Sequence, residues 1–347
     1  MNSDCITFLG DLYAPGPFRS RLPLAVPWVC NLEGPVTRAR MGTSGKINLK
    51  TEGFYLKESI GSLPAAVSLA NNHIMDYGDD GLLDTLRLLA AADIQAFGVR
   101  PGCDGLSSRA CIRCGGLNTV LLGYTCPSTH PAVGAAHSPA ILDDIQVERD
   151  ILQARRDGAD RVVLCLHWGD EEVPLPTPRD RLRARTYAKA GADLIIGHHS
   201  HCIQSWETID ETPVFYGLGN FTMPNIRVPT EFDKDGSPLR WCEKKQRPWN
   251  QASLLVEWSP ASRRCRVRTA IFRRGLLRAG GAVPRRTRLR TPLGAAYTRM
   301  YKASVRSSSL KTACVNFLAR PRIPTRKHMA YAVKTVAGRS ARPESKH

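Results

Sequence analysis

The sequence predicts a layered α/β body followed by a strongly basic C-terminal extension. Three observations carry this reading. Short apolar runs recur with polar residues at their carboxyl ends, helical segments with caps alternate with the later runs, and positive charge is concentrated at one end of the chain.

The apolar runs come first. Cys5-Ile6-Thr7-Phe8-Leu9 leads into Gly10-Asp11, Ala25-Val26-Pro27-Trp28-Val29-Cys30 into Asn31-Leu32-Glu33-Gly34, and Ala65-Ala66-Val67-Ser68-Leu69-Ala70 into Asn71-Asn72-His73. Each reads as a buried strand that ends in side chains able to bind something. Helices then alternate with strands. Asp80-Gly81-Leu82-Leu83 opens one whose face is Leu82, Leu86 and Leu89 at helical spacing. Asp143 caps a second, with Gln146 three residues on and Gly158 as its stop signal. Thr177-Pro178 starts a third, with proline where its missing N–H costs nothing, and Gly191 ends it.

The strands that follow these helices repeat the pattern. Arg161 to Leu166 leads into His167-Trp168-Gly169, Asp193-Leu194-Ile195-Ile196 into Gly197-His198-His199-Ser200-His201, and Val214 to Leu218 into Gly219-Asn220-Phe221. Strands that alternate with helices argue for α/β layers. In such sheets ligands gather beyond the carboxyl ends of the strands.

Composition sets the bounds. The 347 residues are 42% hydrophobic and 23% charged, ordinary globular usage that excludes a disordered or fibrous chain. No apolar run approaches a membrane span, and no basic segment followed by a long apolar one marks a secretory signal. The expectation is a soluble, cytoplasmic protein, peripheral at a membrane if its basic end meets one. Eleven scattered cysteines read as reduced thiols, and the lone Cys111-x-x-Cys114 has no second pair with which to close a zinc site.

The net charge of +18 divides sharply. Residues 261–347 carry 23 Lys and Arg against the single acid Glu344, whereas residues 1–260 carry a net −4. The expected division is a body over 1–275 and an Arg-rich tail over 276–347, partly helical or disordered, with a helical segment from Ala295 to Ala319. Such a tail is a handle for a polyanion or an anionic membrane surface, or else a solvated extension. Nucleic acid is also admitted as a partner, although no recognition motif points to it.

At the strand ends, single residues have plain explanations, but together they form a constellation. Asp11, Glu33, Asn72, His167, His199 and His201 offer carboxylate, carboxamide and imidazole with no thiolate, a donor set suited to manganese, iron or zinc. Six such groups are too many for one closed site and suit two divalent ions. Two such cations outweigh two carboxylates and leave a positive field that attracts an anionic ester.

With Leu69-Ala70-Asn71-Asn72-His73-Ile74-Met75-Asp76-Tyr77-Gly78 added, six motifs in order resemble the CapA family, poly-γ-glutamate capsule-biosynthesis proteins within the calcineurin-like metallophosphoesterase superfamily. The resemblance implies a four-layer α/β/β/α sandwich with a dinuclear centre. It implies Asp11 and His201 as ligands of the first metal, Glu33 as the bridging carboxylate, and Asn72, His167 and His199 as ligands of the second. His73 stands where the superfamily keeps its general acid. Asn31, Glu171 and Asn220 fit substrate or supporting positions, and His198 reads as structural. Two departures stand out: Asp11-Leu12-Tyr13 replaces the wider superfamily's Asp-x-His, and the bridging position is Glu33 where Asp is usual. The implied function is metal-dependent hydrolysis of a phosphoester type on an anionic substrate or polymer. The competing reading is a non-catalytic polyanion-binding accessory factor in polymer synthesis or export.

Overall fold

The computed structural model describes residues 4–100, 108–128, 137–283 and 288–319, with side chains as far as Thr312 in the last segment. Residues 284–287 and 320–347 of the expected tail lie outside the described residues. Two sheets dominate. The first has nine strands, in the order Arg19–Ser20, Leu276–Ala279, Cys265–Arg273, Ala252–Trp258, Ile6–Leu12, Trp28–Leu32, Ala66–Ser68 and Gln95–Phe97, with Asn220–Thr222 pairing beside the end of Ile6–Leu12. The second has six, in the order Trp206–Ile209, Thr212–Phe215, Leu194–His198, Arg161–His167, Leu117–Thr125 and Arg109–Cys114. The central strands of both are parallel, so their carboxyl ends share an edge.

Among the described residues, five α-helices accompany the sheets: α1 (Leu56–Ile60), α2 (Gly78–Ala91), α3 (Asp144–Arg156), α4 (Pro178–Ala190) and α5 (Ala295–Ala319). Asp143 accepts from the Gln146 amide and Thr177 from the Asp180 amide, so the two caps form at the spacing read from the sequence. Helix α2 begins at Gly78, two residues before Asp80, because Tyr77 and Gly78 continue the turn that closes at Met75.

Three apolar clusters fix the layer order. One is built from inward-facing residues of both sheets, including Phe8, Val29, Val163, Ile196 and Trp258, and lies between them. A second joins the outer face of the first sheet to Leu82 and Leu89 of α2 and Leu56 of α1. The third joins the outer face of the second sheet to Val147 and Ile151 of α3 and Tyr187 of α4. Helix, sheet, sheet and helix are therefore stacked as α/β/β/α, each interface removing apolar side chains from water.

The chain continues in the sheet beyond residue 275, since Leu276–Ala279 pairs with both Cys265–Arg273 and Arg19–Ser20. Helix α5 also lies against the body. Tyr297 is fully buried beneath the Arg181 guanidinium, with its hydroxyl donating to the Pro176 carbonyl at 2.6 Å. Among the described residues, no helix is long and apolar enough to cross a membrane. Cys111 is exposed and Cys114 buried, on opposite faces of one strand, and all the described cysteines are free thiols.

Candidate metal centre

The shared edge of the two sheets brings the strand-end residues together by register. Asp11 lies opposite Asn31 on one side and Asn220 on the other, and His167 lies opposite His198. The approach is so close that two positions admit only glycine. A Cβ on Gly10 would stand 1.9 Å from the Gly219 carbonyl oxygen, and one on Gly197 would stand 1.8 Å from that of Tyr216. These glycines precede Asp11 and the His198–His201 segment, and they let the two backbones nest.

Asp11, Glu33 and His201 form the first group, each buried, with one potential ligand atom apiece all within 4.8 Å of one another. Asn31 Nδ2 donates to Asp11 Oδ1 at 2.8 Å, the His199 amide donates to Oδ2 at 3.2 Å, and His198 Nδ1 lies 3.2 Å from Oδ1. Burial alone would raise the Asp11 carboxyl, but His198, His201 and the Asn31 amide hold it below the usual carboxylate range. His201 is oriented by Asn220, with 2.8 Å between Nδ1 and Oδ1, and Asn220 is held in turn by the Asn250 carbonyl at 3.0 Å.

Glu33 differs from its neighbours. It is 1% exposed, and neither carboxylate oxygen accepts a hydrogen bond from any described residue. His201 Nε2 stands 3.5 Å from its Oε1. Burial, then the charge of Asp11, pushes its carboxyl well above the usual range. An unpaired buried carboxylate costs roughly several kcal/mol. Cations at this position would remove that cost, and the donor set around it, oxygen and imidazole nitrogen without thiolate, fits hard or borderline divalent ions.

The second group converges on His167. Its Nε2 lies 2.9 Å from Asn72 Oδ1 and 3.1 Å from His199 Nδ1. Burial is the main cause that lowers all three imidazoles: His167 well below the ordinary histidine value, His199 to about 4, and His201 below it too. They therefore stand neutral at pH 7, with the lone pairs a cation needs. His199 and His201 both adopt left-handed backbone, at φ 82° and 52°, a conformation non-glycine residues rarely hold without a compensating local reason. The His199 ring meets His167 and the His201 ring faces Glu33.

His73 lies beside these groups on a cavity of about 540 Å³ that Asn72, His201, Asn220 and Glu171 also line. Its Nδ1 is 2.7 Å from Asp76 Oδ2, which also accepts the Leu49 amide at 2.6 Å. Glu171 is partly exposed at the cavity rim, 3.3 Å from the Lys244 ammonium. Burial would raise its carboxyl, yet Lys244 and the nearby histidines hold it down to about 2. Asn31 supports Asp11 and accepts from Asn71 at 3.1 Å.

All ten residues singled out from the sequence thus meet at one sheet edge or on the adjoining cavity. Tyr13 does not join them: its hydroxyl donates to the Lys50 carbonyl at 3.1 Å and its ring packs with Leu49, Met223 and Val228. Asp76, Asn71, Asn250, Lys46 and Lys244 complete the site and were not picked out in the sequence. For Asp76 a signal existed, its position three residues after His73.

A family model described as "Bacterial capsule synthesis protein PGA_cap" matches residues 22–225. The PGA biosynthesis protein CapA of Bacillus subtilis (strain 168) is 32% identical over 199 residues, 55% of this chain and 51% of that protein. The capsule biosynthesis protein CapA of Bacillus anthracis is 32% identical over 163 residues, 45% of this chain and 39% of that protein. The chain thus spans about half or less of the length of these relatives. Among solved structures, a 5′-nucleotidase precursor from Thermus thermophilus aligns with 72% of this chain and 44% of its own, at 15% identity and a TM-score of 0.35.

Proposed function

The chain belongs to the PGA_cap family of bacterial capsule synthesis proteins, and from that premise we propose that it is a metal-dependent hydrolase acting on an anionic polymer or its precursor. The observation that carries the reading is Glu33, buried between Asp11 and His201 with both oxygens unpartnered among the described residues. On this reading Asp11, Glu33 and His201 would hold one divalent ion, and Asn72, His167 and His199 would hold a second. Divalent manganese, iron or zinc bound there supplies Lewis acidity and positive charge at the reacting centre.

The chain's own residues supply the rest. Asn31 and Asn220 fix the orientation of Asp11 and His201. Asp76 engages Nδ1 of His73 and leaves Nε2 as the nitrogen that gives a proton to the departing oxygen. Lys46 bonds the Asn72 carbonyl at 2.6 Å and pairs with Asp76, tying the proton donor to the carboxamide ligand.

The test is metal content by elemental analysis of wild type and His199→Ala, with hydrolysis of a generic phosphodiester assayed in added manganese. About two ions per chain, lost together with turnover in the variant, is the expected result. A purified protein that takes up no metal ends the reading.

One observation favours a second reading, a polyanion-binding accessory factor. Helix α5 carries no acid, and Arg299, Lys302, Arg306 and Lys311 are all exposed on it. On that reading, affinity for a polyanion falls with salt and is lost when the basic end is removed.

A further inference from the structure

The family match ends at residue 225, one residue before the hairpin formed by Ile226–Phe232 and Pro238–Lys244. The two ends of that hairpin, Ile226 and Lys244, line the cavity. The Gly45 amide donates to the Thr230 carbonyl at 2.8 Å and the Asn48 amide to that of Pro229 at 3.2 Å, so residues 43–49 and the hairpin form one continuous surface. Ile47, Leu49, Met223 and Ile226 make the wall apolar, with Met75 beside them.

Two lysines reach this apolar cavity, and they differ. Lys46 is committed, with its ammonium 2.5 Å from Asp76 Oδ1 and 2.6 Å from the Asn72 carbonyl. Lys244, the last residue of the hairpin, has one partner among the described residues: Glu171, at 3.3 Å. An ammonium has three donors, and about a third of this side chain is open to solvent. Gln246, two residues on, contacts Asn220 at 3.4 Å, and Asn220 orients His201. Lys244 therefore offers unused donors into the cavity close to the metal ligands, while Glu171 fixes its position.

We propose that Lys244 reads a carboxylate of the substrate, and that the apolar wall beside it packs against the methylenes that lie between one carboxylate and the next. This deepens the reading above and rests on it: the anionic polymer of that reading is recognised through its carboxylates, and Lys244 is the residue that selects them. A charge-assisted hydrogen bond in a partly desolvated cavity is stronger than its solvent-exposed counterpart and selects for the anion.

The experiment is titration calorimetry on the manganese-loaded full chain. The probes are a short γ-linked oligoglutamate and the same chain with its free carboxylates amidated. Lys244→Met is expected to weaken binding of the acidic chain about tenfold, and Lys244→Arg to keep most of it. Metal content is expected to be equal in all three proteins, and the amidated chain is expected to bind wild type and Lys244→Met with equal weakness. Unchanged affinity of Lys244→Met for the acidic chain, with metal content and wild-type binding intact, overturns the role of Lys244 alone. A metal-loaded wild type that fails to distinguish the acidic chain from the amidated one overturns the polymer reading, and the role of Lys244 with it.

Discussion

Nδ1 of His73 lies 2.7 Å from Oδ2 of Asp76, and the other oxygen of that fully buried carboxylate is 2.5 Å from the Lys46 ammonium. The pair fixes which imidazole nitrogen faces the cavity. It also ties the ring, through Asp76, to the Lys46 ammonium and the Leu49 amide. On the proposed reading, proton transfer from His73 depends on Asp76, a residue that does not line the cavity.

Asp76→Asn tests that dependence. The amide keeps the size of the side chain and can still accept the Leu49 amide, but it loses the charge that holds His73. Turnover of a manganese-loaded phosphodiester assay is expected to fall about a hundredfold, comparable to His73→Ala, with metal content unchanged. Equal loss of metal and turnover would show that Asp76 acts on the centre as a whole.

The Gly-Asp, Asn-x-Glu-Gly and His-x-His segments were legible because each pairs an apolar strand with a polar end, a local pattern that one stretch of chain contains. The layered fold was legible for the same reason. Lys46 and Lys244 were not: each is a lysine in a stretch without distinguishing spacing, and its value comes from contacts with Asp76 and Glu171 made only on folding. The docking of α5 was equally hidden. Composition announces its charge, but the burial of Tyr297 depends on Arg181 and Pro176, more than a hundred residues earlier.

Glu33→Gln separates the cost of a buried charge from its use. Without metal, the variant is expected to melt about 3 °C higher than wild type, because an unpartnered carboxylate has been replaced by a neutral isostere. With manganese added the order is expected to reverse, since binding to the folded state stabilises wild type by mass action and the variant holds metal poorly. Differential scanning fluorimetry with and without manganese reads both signs.

Asp180 gives a pH dependence of stability, from a buried carboxyl that lies against Gly169. It lies in the first turn of α4, buried, with Oδ2 unpartnered among the described residues, and burial pushes its carboxyl up to about 6 from 3.8. The helix N-terminus and Thr177 favour the charge, but burial outweighs them. A raised acid binds its proton more tightly in the fold than in the unfolded chain. Its penalty is therefore absent below about pH 3.8, grows as pH rises, and is complete above about pH 6. Asp180→Asn is expected to add about 2 kcal/mol in urea unfolding near pH 7.5 and close to nothing near pH 4.

Helix α5 is expected to hold the rim of the cavity, and Tyr297→Ala tests it. The Tyr297 ring lies 4.2 Å from the Arg181 guanidinium, which is itself fixed by two bonds to Glu207 at 2.9 and 2.7 Å and one to the Thr291 carbonyl. Farther along, Ser308 donates to the Glu172 carbonyl at 2.9 Å, and Arg247 bonds both Thr312 and Glu172. Glu172 follows the rim residue Glu171, and its amide donates to the Ser200 carbonyl at 2.7 Å, between the two histidines of the first and second groups. Truncating the buried ring costs about 3 kcal/mol of packing and leaves the Arg181 stack without its face. Hydrogen exchange is expected to rise along α5 and at residues 170–172 together, whereas Tyr297→Phe, which loses only the bond to Pro176, is expected to change both by about a tenth as much or less. Faster exchange in α5 alone would mean that the helix covers the body without holding the rim, and that the basic face and the metal centre are energetically independent.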